Sequence, residues 1–290
     1  MRKLGKKGRG LLYRVLLRFV FTILGVLLCL PVCFMITGSV MGEDDLFAYL
    51  LPVFEDRTGF AGWKLIPTYP TFVHYKRLFL YAPEFFVLFW NVVKLTVLIL
   101  AGQMAVGVPA AWAFAVYRVR GRRFLFAVYV VLMLLPFQVT MLSSYLSLSR
   151  LSLLNTHWAV ILPAVFHTFP VFVIYGGFRD IPRSLIEAAR IDGAGEGRIF
   201  VTLGLGLGRS GMMSALVPGF LDYWNMLEQP YAFLEDRSLW PLSLYLPEIA
   251  WQEAGFAFAA SLVMLLPAGF VFAMGQDYLE QGIVYSGIKG

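Results

Sequence analysis

Runs of mostly apolar residues recur along this chain, each too long for the core helix of a soluble domain. The clearest extends from Phe19 to Val40. Crossing roughly 30 Å of hydrocarbon takes about 20 residues, so this run is long enough to span a bilayer. Further runs at about 85–112, 124–146, 158–178, 212–233 and 254–273 predict six transmembrane helices in all, the fifth least apolar because it holds Asp222 and Glu228. In lipid every backbone polar group must be satisfied within the segment, which makes such runs helical. The expected fold class is therefore an all-α integral membrane protein. Composition agrees, with 59% hydrophobic and only 14% charged residues, where a soluble domain carries about 25% charged. The basic start resembles a signal peptide, but its apolar run is too long and lacks a small-residue cleavage site, so an uncleaved first span is expected.

The runs divide the chain into a basic N-terminus (1–18), the first span with a long outer loop (19–84), a transmembrane core (85–275) containing the polar loop 179–211, and a tail (276–290). The outer loop carries Glu43, Asp44, Asp45, Glu55 and Asp56. The net charge of +6 is no nucleic-acid signature, because the bases flank the spans. Placing the N-terminus inside puts Arg118, Arg120, Arg122, Arg123, Arg179, Arg183, Arg190, Arg198 and Arg209 inside as well. That satisfies the positive-inside rule with both termini cytoplasmic. Cys29 and Cys33 lie four apart in an apolar run, which span packing explains without a disulfide or metal.

One polar stretch stands out between the fourth and fifth spans: Ile181-Pro182-Arg183-Ser184-Leu185-Ile186-Glu187-Ala188-Ala189-Arg190-Ile191-Asp192-Gly193-Ala194-Gly195. Pro182 suits a first helical turn, and Ser184 with Glu187 has the spacing of a capping box. Arg190 falls in the last turn and Gly193 suits a left-handed stop. Small Ala188 and Ala189 permit close approach of a neighbour. A connecting helix would need no more than this, and the composition of the stretch alone leaves both a connector and a docking element open.

Chemistry-bearing groups are sparse. Gly206-Leu207-Gly208-Arg209-Ser210-Gly211 is a formal GxGxxG, but it lacks the strand and βαβ context of a dinucleotide site. No GxxxxGK[ST] or HExxH occurs. Asn91 and Lys94, one turn apart in the second span, are pathway candidates because polar groups in lipid are costly; snorkelling of Lys94 is the alternative. His167 has no second ligand at metal spacing and reads as an interhelical hydrogen-bonder. Asp222 and Glu228 do not share a helical face well, which weakens a paired-carboxylate reading. No catalytic site and no metal site is expected.

Glu187-Ala188-Ala189, then Asp192-Gly193-Ala194 with Ile199-Phe200, resembles the EAA loop of binding-protein-dependent ABC importer permeases, nearest the carbohydrate permeases of the maltose-transporter kind. Pro136-Phe137-Gln138, Leu153-Leu154-Asn155-Thr156, Ile161-Leu162-Pro163, Trp224-Asn225 with Pro230, and the glycine-lysine ending Gly287, Lys289, Gly290 extend the likeness from about Asn91 to the C-terminus. The departures are glycines at 204–211 where the family carries prolines, and Met226, Leu227, Glu228 and Gln229 after Trp224-Asn225.

The resemblance implies a type I importer permease fold with a cytoplasmic coupling helix, in which Glu187, Ala188, Ala189, Arg190, Asp192, Gly193 and Ala194 meet an ATPase. It implies a tail at Gly287, Lys289 and Gly290 reaching the same partner. His167, Asp222, Trp224, Asn225 and Glu228 join the pathway candidates, and Trp240, Tyr245 and Trp251 become candidates for contact with a binding protein. The implied partners are a homologous permease, two ATPase subunits and an extracytoplasmic solute-binding protein in a bacterial or archaeal cytoplasmic membrane. The chain itself would bind no cofactor, ATP and Mg belonging to the ATPase. A secondary transporter is the alternative, but membrane-embedded ion-coupling groups are few.

Overall fold

The computed structural model describes residues 6–54, 67–117 and 120–286. All regular structure among the described residues is helical: α1 (Lys6–Ser39), α2 (Glu43–Phe54), α3 (Val73–Tyr81), α4 (Pro83–Val116), α5 (Arg122–Met133), α6 (Phe137–Arg150), α7 (His157–Val165), α8 (Thr168–Arg179), α9 (Arg183–Ile191), α10 (Glu196–Ile199), α11 (Leu205–Leu207), α12 (Arg209–Trp224), α13 (Glu228–Phe233), α14 (Leu242–Tyr245) and α15 (Ala254–Ser286). Arg118, Glu55, Asp56 and the tail residues Gly287, Lys289 and Gly290 lie outside the described residues. The chain forms two compact units, one of the chain up to Ala82 with Ile249–Val263, the other of Pro83–Glu248 with the chain from Met264 onward.

In the first unit α1 presents apolar side chains outward along most of its length, as a lipid-facing span must, and Cys29 and Cys33 are exposed free thiols upon it. The segment after it, which its acids and prolines mark as a polar loop, contains α2 and α3. Its folding comes from specific polar anchors. The Thr71 N–H donates to the Val40 carbonyl at 2.8 Å, Ser39 Oγ and Tyr75 Oη lie 2.9 Å apart, and buried His74 bonds the Met41 carbonyl through Nε2 at 2.9 Å. Arg77 pairs with Glu253 at 2.5 Å and covers the Phe256 ring, while Trp251 stacks on Phe47 and Phe54.

The second unit is built on α4, α8 and α12. Along α4 the buried positions Leu88, Val92, Leu95, Ile99, Gln103, Val108, Ala111 and Trp112 follow the three-to-four spacing of one helical face, and Val87, Trp90, Val97 and Val106 are exposed. Both faces are apolar because one meets protein and the other hydrocarbon. Between α8 and α12 the backbones nearly touch: a Cβ at Gly177 would sit 2.7 Å from Gly211 Cα, and one at Gly211 would sit 2.9 Å from Gly177 Cα. Small residues permit such contact in membranes, where lipid removes the hydrophobic drive and close packing replaces it. The glycine-rich stretch thus serves helix packing.

Among the described residues, four helices are long and apolar enough to cross a membrane (Tyr13–Ser39, Pro83–Val116, His157–Arg179 and Trp251–Leu279), and up to six segments are if each of two bent pairs is one span. The third run is therefore not the straight helix that apolar length suggests, and the segment leading into the fifth is bent against it. α5 and α6 meet at 100° around Leu134–Pro136, and the α10–α11 segment meets α12 at 65°. Pro136 takes an extended conformation and has no N–H to continue the ladder. The second bend follows a π-helical turn at Phe200–Gly204 and falls at Gly208, where a side chain would collide with Phe178. Trp224 ends α12, and the remainder of the fifth run re-forms as α13.

The Gly177–Gly211 contact yields a direct expectation. Gly211→Ala should lower the thermal unfolding midpoint of the detergent-solubilised chain, overpacking costing typically about 1–3 kcal/mol. Gly206→Ala, with nothing within 4 Å of its added Cβ, should leave the midpoint unchanged.

Candidate functional site

The polar stretch folds as α9, and both of its ends are set by backbone chemistry. Pro182 is the N-cap in an extended conformation, its carbonyl accepting from the Leu185 N–H at 3.1 Å. The helix therefore begins two residues before a Ser184–Glu187 capping box would start it. Ser184 is already helical and no side chain caps the helix, so the box does not form; a capping serine has to stand at the non-helical position that Pro182 occupies. The other end matches the sequence expectation. Gly193 is left-handed at φ +80°, its N–H donates to the Arg190 carbonyl at 3.0 Å, and the Ala194 N–H donates to the Ala189 carbonyl at 3.0 Å. These two bonds are the pair that defines a Schellman stop.

Ile186 is buried and Ala189 half-buried against a cluster that includes Trp112, Phe178, Ile181 and Ile199. Outward stand Leu185 at 45% and Ile191 at 86% exposure, with Ala188 and Asp192 also exposed. Arg190 donates to both oxygens of Glu196, from Nε at 2.7 Å and from Nη2 at 3.1 Å, and Tyr117 Oη donates to the same carboxylate at 3.1 Å. The Glu196 hydrogen bond, chiefly, raises the Arg190 guanidinium above its usual value. One carboxylate thus joins α9 to the residue that follows α4. Arg183, Ile186, Glu187 and Arg190, at i, i+3, i+4 and i+7, line a cavity against the ends of α4 and α8, and Glu187 is exposed along it.

The remaining candidates scatter. Asn91 is buried, and its amide donates to the Ser238 carbonyl at 2.7 Å and the Trp240 carbonyl at 3.0 Å. Lys94 is exposed on α4. Trp224 is buried, donating from Nε1 to the Met264 carbonyl at 3.0 Å. His167 caps α8, accepting from the Phe169 N–H at 3.4 Å, and lies within electrostatic range of Asp222. Asn225 donates to the Leu221 carbonyl at 2.9 Å, and the Glu228 carboxylate accepts from Gln138 Nε2 at 2.8 and 2.9 Å. Trp240 is buried, with its indole N–H on the Leu234 carbonyl at 3.2 Å and Arg237 over its ring. Tyr245 is half-buried, as is Trp251 on its two phenylalanines. Sequence reasoning missed Tyr117, Glu196, Leu185 and Ile191. Of these only Ile191, an apolar residue ending a polar helix, carries a local signal.

This is a multi-pass membrane protein, all-helical in its regular structure among the described residues, with a polar helix exposed at the end of its second unit. The chain belongs to the family of binding-protein-dependent transport system inner membrane components, whose family model matches residues 103–285. It is 29% identical over 228 residues to the arabinooligosaccharides transport system permease protein AraQ of Halalkalibacterium halodurans, covering 77% of this chain and 81% of that one. It is 26% identical over 285 residues to AraQ of Bacillus subtilis, covering 96% of each. Its fold matches that of a bacterial ABC transporter involved in import of the acidic polysaccharide alginate, with a TM-score of 0.81 and 18% identity, over 96% of this chain and 100% of the other.

The shared carboxylate can be tested alone. Glu196→Gln should raise amide hydrogen exchange across 190–196 while moving the global unfolding midpoint little, since solvent screens an exposed ion pair.

Proposed function

We propose that this chain is the transmembrane permease subunit of an ATP-driven importer for an oligosaccharide, with α9 as its coupling helix. The observation that carries the reading is α9 itself: a short helix with stops at both ends, anchored by Ile186 and by Glu196, that offers Leu185, Ala188 and Ile191 to a partner. Apolar side chains exposed together and rimmed by polar residues mark interaction sites. Glu187, Ala188, Ala189, Arg190, Asp192, Gly193 and Ala194 form the docking element, and Gly287, Lys289 and Gly290 belong to a tail reaching the same ATPase. The two bent pairs each count as one span, giving six, with both termini cytoplasmic and the permease core between 85 and 275. The partners are a homologous permease, two ATPase subunits that hold ATP and Mg, and an extracytoplasmic solute-binding protein. The segment around Trp240, Tyr245 and Trp251 faces that binding protein.

Mechanistically, closure of the ATPase pair displaces α9, and the helices packed on it rotate from inward-facing to outward-facing access. His167, Asp222, Asn225 and Glu228 border the path. Carboxylate and amide oxygens accept hydrogen bonds from sugar hydroxyls, and the arabinooligosaccharide relatives make a saccharide the favoured solute class. Asn91 and Trp224 support the path from behind, through backbone carbonyls.

Cysteine labelling in intact cells or vesicles should find Gly195→Cys reactive from the cytoplasmic side and Asp236→Cys from outside; labelling of Gly195→Cys from outside removes the coupling assignment. Gly193→Val or Glu187→Lys should leave the chain inserted and paired with its sister permease while abolishing transport and the co-purification of ATPase. Normal solute-stimulated ATP hydrolysis by both variants in proteoliposomes would make α9 a mere connector.

A further inference from the structure

A cavity of about 480 Å³ lies between the last turns of α4 and α8, the first turn of α5 and one face of α9. Arg122, Arg179, Arg183 and Arg190 line it, with Tyr117 and Tyr175, and Glu187 is its single acid among the described residues. Arg190 is neutralised by Glu196, but Arg122, Arg179 and Arg183 have no carboxylate within 4 Å among the described residues. Arg122 donates to the Tyr117 carbonyl at 3.3 Å. The N-terminus of α5 opens at Arg122 with no side-chain cap, so its dipole adds positive potential to the same place. Three unpaired guanidiniums around one concavity repel one another unless an anion joins them.

We propose that this cavity binds the headgroup phosphate of an anionic phospholipid from the inner leaflet, and so ties the polar loop to membrane composition. Guanidinium forks match phosphate oxygens pairwise, and basic pockets between span ends on the cytoplasmic side take anionic headgroups. What singles out a lipid is the surface beside the charges. Just past Arg122, α5 exposes Phe124, Leu125, Val128 and Val131, a strip suited to acyl chains that a soluble phosphate would not use. Tyr117 and Tyr175, which also line the cavity, are of the residue type enriched at the headgroup level of membranes. Arg179 and Arg183 are the residues that the lipid adds to the function of this region.

The proposal rests on the inward orientation given above, but its test is blind to leaflet, so the two can fail separately. Full-length chain extracted in mild detergent is incubated with equal phosphatidylglycerol and phosphatidylcholine, and retained lipid is counted by native mass spectrometry. Phosphatidylglycerol should be retained in preference by roughly tenfold, and Arg179→Gln with Arg183→Gln should remove most of that preference, each surface arginine contributing about a factor of five. Arg179→Lys with Arg183→Lys should keep most of it. Equal retention of both lipids by the unaltered chain overturns the proposal even if the glutamine variant does not fold, and so does a preference that survives in a folded glutamine variant. Loss of phosphatidylglycerol on adding millimolar inorganic phosphate assigns the cavity to free phosphate and overturns the lipid assignment.

Discussion

The approach of α8 to α12 at backbone distance sets the geometry of the second unit. Within a bilayer, burying apolar side chains against protein gains little over leaving them in lipid, so van der Waals contact and hydrogen bonds have to hold helices together. Gly177 and Gly211 supply that contact by having no Cβ to separate the chains. Ile174, Phe178 and Ala215 then fall into one cluster with Trp112 of α4, and Ile181, Ile186 and Ile199 extend the cluster to the base of α9. The position of the exposed helix is thus a consequence of helix spacing fixed inside the membrane.

Interrupted helices are the second constraint, because each interruption releases carbonyls that lipid cannot satisfy. The structure answers with long side chains from neighbouring helices. At the gap between α7 and α8, Gln103 donates to the Ala164 carbonyl at 2.8 Å and to Tyr223 Oη at 2.6 Å. In α15, Pro267 lacks the N–H that the ladder requires, and the Trp224 indole reaches the nearby Met264 carbonyl. Asn155, itself left-handed at φ +56°, accepts from the Glu235 and Asp236 N–H groups through Oδ1. Polar residues within apolar runs here hold backbone more often than they face a path.

Legibility in the sequence followed the range of the interactions involved. Apolar length located the spans, because hydrocarbon thickness acts on each segment by itself. The left-handed stop at Gly193 was equally local. The capping box failed because Pro182 and Ser184 compete for one position, and spacing does not say which wins. The bend at Pro136 was hidden by hydropathy that continues through it, whereas the bend at Gly208 falls in the glycine stretch before the fifth run. Helices α2 and α3 were hidden by their acids and prolines, since partners such as Glu253 and Trp251 lie far along the chain. The cavity arginines were visible singly as topology signals, and only folding brings Arg122 beside Arg179 and Arg183.

The carboxylate of Glu196 gives the polar loop a mechanical character. A body attached at one point swivels and loses whatever torque is applied to it. α9 is attached at more than one: its chain runs through Ile181 into α8 and through Gly193 into α10, and Arg190 reaches Tyr117 beyond α4 through Glu196. The arrangement is a bracket whose covalent ends are braced by one ionic bolt, and that bolt is the part that conditions can loosen. Strain on α9 therefore divides between two helices in a ratio that salt and protonation can alter, much as a slipping bolt changes which beam carries a load.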